Sequence, residues 1–436
     1  MALVATLVAL AAAPPSWAQG SGAANRRAPR HSTAAPSTYP AAATRVQKRA
    51  RPSEFARAAA GTGGAAAPGS KGARSHRKAA KKPKLRGNPA RALVAFEAMQ
   101  EHFYVRGSGL YEGEPFSYLW PFSQALAATV SVANIPHLGV SMRRELNVRM
   151  YGLRSYLDLD NSGTEEGTFT SSLPAYDGTI APPTGPGGTK FYDDNDWVGI
   201  ELVRLYKLTR EAGALGTAEG IMAFEMQGWQ TSPELACPGG LPFDNEPNNS
   251  DRNTVTTAPA VELAVQLYQE TGEHAYLQFA EMAYQWVRSC LLQPNALYAD
   301  HINRTGVVEP MLWSYNQGAM IGAGALLYRA TGNISYLNQA RQTAAAALSY
   351  FTPERLAGEN PFFPSVYFRD LLYLDSITHE SSGAIVAQNY VNNAWDHLRL
   401  RDNLFVSGSP PSTQLLYQAA IVQVYALLAS PASTYF

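Results

Sequence analysis

Glu262-Leu263-Ala264-Val265-Gln266-Leu267-Tyr268-Gln269-Glu270-Thr271-Gly272 and, about sixty residues later, Gly322-Ala323-Gly324-Ala325-Leu326-Leu327-Tyr328-Arg329-Ala330-Thr331-Gly332 are two versions of one phrase. Apolar residues recur at spacings of three and four, the period of a helix face, and Thr-Gly is a helix stop. Tyr276-Leu277 and Tyr336-Leu337 follow each stop and open a second helix, so each unit reads as a helical hairpin. Glu201-Leu202-Val203-Arg204-Leu205-Tyr206 begins an earlier copy, and Tyr206, Tyr268 and Tyr328 set a period of about sixty residues. That period is too long for the common solenoid units and suits a helix pair plus a working loop.

Strand-like alternation is scarce from Pro89 onward, and the folded part, 89–436, holds about six such units. The expected fold is all-α, an (α/α)6 barrel of six hairpins. Its inner helices are placed near Phe122–Asn134, Asn195–Thr209, Thr254–Thr271, Asn316–Thr331, His379–Tyr390 and Thr413–Ala429. An open superhelix of helix pairs is the competing architecture. The ring is favoured because loops rich in Asp, Asn, Trp and Tyr precede the inner helices, as convergence on one cleft requires.

Composition divides the chain. Residues 1–18 resemble a secretory signal, apolar from Ala2 to Ala13 with small Ser16 and Ala18 before Gln19, although a basic start is missing. Residues 19–88 carry about 16 basic residues against one acid, Glu54, among Ala, Gly, Pro and Ser. Such a segment buries too little apolar surface to fold and reads as a disordered basic arm. What remains has about 19 basic against 34 acidic residues, so a net charge of zero conceals an acidic domain with a basic tail.

Phe191-Tyr192-Asp193-Asp194-Asn195-Asp196-Trp197 sets adjacent carboxylates between aromatic side chains, just before a helical run. Two readings compete. Acidic residues suit the positive end of a helix as caps. Glycoside cleavage also needs a carboxylate to attack the anomeric carbon, a carboxyl to protonate the leaving oxygen, and aromatic faces on which sugar stacks. Asp196 is assigned here to the first role, a first-turn helix charge.

With the later Trp313-Ser314-Tyr315-Asn316-Gln317-Gly318-Ala319-Met320-Ile321-Gly322-Ala323, the heptad makes the chain from about Trp120 onward resemble glycoside hydrolase family 76, the endo-α-1,6-mannanases. The resemblance implies an (α/α)6 barrel and a retaining mechanism, with Asp193 as nucleophile and Asp194 as acid/base. It also implies sugar contacts from Tyr192, Trp197, Asn253, Asp300, Trp313, Tyr315, Asn316 and Gln317. Arg252 stands where the family's Lys-Asn element has lysine, which keeps the charge and changes the hydrogen-bond geometry. Trp120 and Gln124, opening the first inner helix, are further candidates for the cleft wall. The implied substrate is α-mannan. A transglycosylase on the same aspartates and a non-catalytic mannan-binding protein are the alternatives.

No metal-ligand spacing of histidines, Gly-rich phosphate loop or Gly-x-Ser-x-Gly elbow occurs, so no metal or organic cofactor is expected. The basic arm with an acidic domain suggests a secreted or cell-envelope-associated monomer attached to an anionic surface rather than to nucleic acid. Cys237 and Cys290 fit either a disulfide or two buried thiols, and are expected at the helix ends away from the catalytic loops.

Overall fold

The computed structural model describes residues 85–159, 171–246, 249–408 and 410–436. The expected leader and all but the last residues of the basic arm lie outside the described residues. Among the described residues there are thirteen α-helices. They are α1 (Asn88–Phe103), α2 (Leu119–Asn134), α3 (Gly139–Leu153), α4 (Tyr192–Thr209), α5 (Ala212–Gly228), α6 (Thr254–Thr271), α7 (His274–Leu291), α8 (Ser314–Thr331), α9 (Ile334–Tyr350), α10 (Pro353–Gly358), α11 (Phe362–Thr378), α12 (Ser382–Asn393) and α13 (Leu415–Leu427).

Inner helices α2, α4, α6, α8, α11 and α13 each pack on the next, and α13 returns to α2, closing the ring. The outer helices α3, α5, α7, α9 and α12 pack on the inner helix that precedes each, while α1 packs on α13. The sixth hairpin is therefore assembled from the two ends of the domain, with the Gln418 side chain donating to the Ala95 carbonyl at 2.8 Å. The open superhelix is excluded.

Burial separates the two layers. In α6 every residue from Thr254 to Leu267 is buried, as a helix enclosed on all sides must be. Outer α7 instead buries Ala275, Tyr276, Phe279, Ala280, Ala283, Tyr284 and Val287, one stripe at helical spacing.

The repeated phrase that revealed the hairpins is a helix stop. Arg210, Gly272 and Gly332 adopt positive φ values of 62°, 72° and 72°. Their amides donate to the carbonyls of Tyr206, Tyr268 and Tyr328 at 2.7, 2.8 and 2.8 Å, capping the last turn. The threonines tighten it, Thr271 and Thr331 donating to Leu267 and Leu327 carbonyls at 2.7 and 2.8 Å.

This device corrects the fifth inner helix, expected at His379–Tyr390 but formed by Phe362–Thr378. His379 is its left-handed cap at φ 60°, and α12 beyond it is an outer helix. With His in place of Gly and Asp375 in place of Tyr, the stop lacks its usual spelling.

Two short sheets stiffen the loops at the end where inner helices begin. β1 (Leu157–Asp158) pairs antiparallel with β2 (Ala175–Tyr176). β3 (Arg252–Asn253) pairs with β4 (His301–Ile302), which pairs with β5 (Val308–Glu309). Cys237 and Cys290 form a disulfide with Cα atoms 6.3 Å apart. Its position corrects the expectation. Cys237 lies in the loop that runs from α5 to β3 and α6, so the bridge sits at the same end as the candidate catalytic loops.

Candidate active site

Helix α4 begins at Tyr192, so Asp193 and Asp194 occupy its first turn. Neighbours on a helix point about 100° apart, which keeps two consecutive side chains at one end of the element; in a strand they would face opposite sides. Asn195 secures that start. Its amide accepts from the Tyr176 N–H at 2.9 Å and donates to the Tyr176 and Phe191 carbonyls at 2.9 and 2.8 Å, clamping β2 to the helix.

The two carboxyls differ in environment. Asp193 receives backbone N–H groups of its own residue and of Asp194, donors left free at a helix start. Burial, followed by the nearby Asp244 charge, still lifts it to about 7. Asp194 has no such backbone support, and burial together with the Asp193 charge holds it well above the ordinary carboxyl range. Burial raises both carboxyls and the Asp193 charge acts on Asp194, so the two lose their protons as a pair.

Around the pair the loops converge. Asp300 accepts from the Asn316 amide at 3.2 Å and meets the His301 ring nitrogen Nδ1 at 3.0 Å. Asn253 pairs in register with His301 across β3 and β4. Tyr315 lies within electrostatic reach of Asp300, Asp193 and Glu359, which together with burial raise its phenol. These relations bring Asp193, Asn253, Asp300, Tyr315 and Asn316 to one place, although they come from three loops.

An aromatic wall flanks them. The Phe362 ring lies edge-on to Trp120 and Trp197 at 5.4 and 5.6 Å between centroids. The Phe363 ring meets Trp313 at 5.4 Å and Tyr315 at 4.2 Å. Phe362 and Phe363 escape the sequence reading because the fifth inner helix was placed too late. Their signal was Asn360-Pro361, where the Asn360 side chain accepts the Phe362 N–H at 3.1 Å. Glu359, also missed, accepts from the Ser314 N–H at 3.0 Å, and burial raises it to about 7.

Two expected sugar contacts, Tyr192 and Gln317, are packed into the fold, as are Gln124 and Arg252. Tyr192 is fully buried and stacks on Phe224 at 4.7 Å, in the space Gly228 leaves by lacking a side chain. Gln317 is fully buried and engaged with Tyr298, accepting its N–H at 2.7 Å and donating to its carbonyl at 2.9 Å. This is the Asn195 device repeated on α8. Gln124 is buried and accepts from Gln423 at 3.1 Å. Arg252 is buried and donates to the carbonyls of Ser250 and Ala236, holding the loop ahead of Asn253.

Asp196 is likewise no first-turn surface charge. It is fully buried, its oxygens have no hydrogen-bond partner among the described residues, and burial, with the Asp193 and Glu262 charges, holds it well above the ordinary carboxyl range.

A further buried group lies between inner helices α6, α8 and α11. Arg369 donates to Glu262 at 2.6 Å and to Asp370 at 3.0 Å. Gly322 admits this network, because a Cβ there would meet a Glu262 oxygen at 2.3 Å. Among the described residues no group of three or more His, Cys, Asp or Glu is arranged to hold a metal ion.

The model for glycosyl hydrolase family 76 matches residues 92–394, well over half the chain. The mannan endo-1,6-alpha-mannosidase DCW1 of Saccharomyces cerevisiae is 27% identical over 125 residues, covering 27% of this chain and 28% of the yeast protein. Its namesake from Candida glabrata is 30% identical over 106 residues, 22% of this chain and 24% of that protein. The matched segments thus span under a third of these relatives.

The fold extends further. A family 76 mannosidase from Bacteroides thetaiotaomicron VPI-5482 superposes with a TM-score of 0.69 at 20% identity, over 78% of this chain and 98% of that one. An inactive variant of a family 76 α-1,6-mannanase from Salegentibacter sp. HEL1_6, in complex with α-1,6-mannotriose, gives 0.63 at 18% identity over 79% and 99%.

Proposed function

The chain belongs to glycosyl hydrolase family 76, and from that premise we propose that it cleaves internal α-1,6-mannosidic linkages of mannan with retention of configuration, Asp193 acting as nucleophile and Asp194 as acid/base. The observation that carries this reading is a pair of adjacent carboxyls, Asp193 and Asp194, in the first turn of α4, both raised above the ordinary carboxyl range chiefly by burial, with Trp197 of the same helix against the aromatic wall.

In the first step an Asp193 oxygen bonds to the anomeric carbon while the glycosidic C–O bond breaks. The Asp194 proton passes to the departing oxygen, leaving a glycosyl ester on Asp193 and a carboxylate on Asp194. Water then donates a proton to Asp194 as its oxygen attacks the same carbon, releasing Asp193. Trp120, Trp313, Tyr315 and Phe363 supply apolar faces for sugar rings, backed by the buried Phe362 and Trp197, and Asn253 and Asp300 supply hydroxyl partners, with the buried Asn316 holding Asp300. The names of the curated relatives support the linkage.

Asp193→Asn and Asp194→Asn are expected each to lower turnover of linear α-1,6-mannan by about 10³-fold or more with melting unchanged. Fresh product from the parent enzyme, observed by proton NMR before mutarotation, is expected to carry the α-anomer. Near-parental turnover in either variant, or an initial β-anomer, overturns the assignment.

We further propose a monomer exported by residues 1–18 and tethered by the basic segment 19–88 to an anionic envelope surface. Deleting 19–88 should abolish salt-sensitive adsorption to that surface while leaving turnover of short mannan unaltered. Turnover lost on deletion refutes this role.

A further inference from the structure

A groove of about 880 Å³ lies between the loop after α1 and outer helix α3, lined by Tyr104, Arg106, Asn147, Tyr151, Arg143 and Arg144 among others. It is built where the loop after α1 lies flat on α3. That close approach depends on two glycines: a Cβ on Gly152 would fall 2.2 Å from the Gly109 carbonyl oxygen, and one on Gly109 would fall 2.9 Å from the Gly152 nitrogen. Outer helices end, and inner helices begin, at the active-site end of the barrel. The groove runs along α3, with Arg143 and Arg144 in the first half of that helix and Asn147 and Tyr151 in the second, toward the loop feeding α2.

Its chemistry is one-sided. Arg106, Arg143 and Arg144 are exposed and make no ion pair with the described residues. Beneath them Arg149 is fully buried, its guanidinium 4.3 Å from the Tyr104 ring centroid and 4.7 Å from that of Tyr111. Only its Nη1 finds a partner, Gln100 at 3.1 Å, while Nε and Nη2 have none among the described residues. Glu145 is the carboxylate on α3, and its charge acts on Tyr111. Four guanidinium groups thus face or underlie a groove whose own helix contributes one acid. Tyr151, 61% exposed, presents a ring at the edge, and Asn147 a neutral amide.

We propose that this groove binds a phosphate-bearing sugar of an anionic glycan, the guanidinium forks taking the phosphate oxygens, Tyr151 stacking on the sugar ring and Asn147 meeting its hydroxyls. Planar forks match phosphate geometry, and an exposed aromatic beside them turns a plain anion site into a sugar-phosphate site. The groove holds a charged region of a glycan outside the cleft.

The test uses the full chain carrying Asp193→Asn and Asp194→Asn, so that its outcome is separate from the catalytic assignment. Phosphomannan oligosaccharide and the same oligosaccharide after phosphatase treatment are titrated calorimetrically. Replacing Arg106, Arg143 and Arg144 with Ala is expected to weaken phosphomannan binding at least tenfold, leaving the dephosphorylated sugar unaffected. Tyr151→Ala is expected to weaken phosphomannan but not inorganic phosphate. The four substituted side chains, Arg106, Arg143, Arg144 and Tyr151, all lie on the surface, and equal melting temperatures verify the fold. Unchanged phosphomannan affinity in the triple variant, which would assign binding to the basic tail, overturns the proposal. So does an equal loss for the dephosphorylated sugar.

Discussion

Removing the Cys237–Cys290 bridge by Cys237→Ala and Cys290→Ala perturbs both stability and the loop that presents Asn253. The bridge spans a sequence separation of 53. The chain-entropy relation for a loop of that size amounts to about 4 kcal/mol lost from the folded state. Unfolding roughly 350 residues carries an entropy near 0.7 kcal/mol/K, so the melting temperature should fall by about 5 °C.

The position adds a functional expectation. Cys237 follows Ala236, whose carbonyl accepts the buried Arg252, and Arg252 precedes Asn253 on β3. Freeing the cysteine end lets this strand shift against β4, so KM for mannan should rise several-fold while kcat falls less. Scanning calorimetry and steady-state kinetics at 25 °C measure the two effects. A melting temperature within 1 °C of the parent, or unchanged KM alongside the full loss of stability, refutes the coupling of bridge and loop.

Arg369→Met strands the buried Glu262 and Asp370 carboxyls between the inner helices and should destabilise the domain by about 3 kcal/mol, measured by urea unfolding; adding Glu262→Gln should recover part of that. Asp177, Asp193 and Glu359 are raised to about 7 and Asp370 to about 6, against ordinary values near 4. The folded chain thus binds protons that the unfolded chain has released. Stability should fall as pH rises from about 4 to about 7, with a lower urea midpoint at pH 7.5 than at pH 5. His379→Gly removes a side chain from a left-handed cap at φ 60° and should raise stability by about 0.5–1 kcal/mol in the same assay. Asp196→Asn replaces a buried carboxyl held well above its ordinary range with a neutral amide, and melting should change by no more than a few degrees.

Helical hairpins were legible in the sequence because their information is local. Burial on every side gives inner helices long apolar runs, and the Thr-Gly cap is spelled out twice within a few residues. Asp193 and Asp194 stood out for the same reason: adjacent acids at a helix start are a short-range pattern. The fifth inner helix was misplaced where that spelling lapses, at Asp375 and His379, and Phe362, Phe363 and Glu359 were lost with it.

Direction was not legible at all. Tyr192 and Trp197 flank the same aspartates, yet the first packs on Phe224 toward α5 and the second reaches the aromatic wall. Asn316 and Gln317 are neighbours, yet one engages Asp300 and the other the Tyr298 backbone. Which side of a helix meets the cleft depends on where its neighbours pack, and those neighbours lie tens to hundreds of residues away. The sixth hairpin is the extreme case, since α1 and α13 meet only when the ring closes. The chain thus determined by itself that it would form capped helical pairs with an acidic helix start. Ring closure alone decided which residues line the site, because burial and charge coupling belong to the assembled barrel.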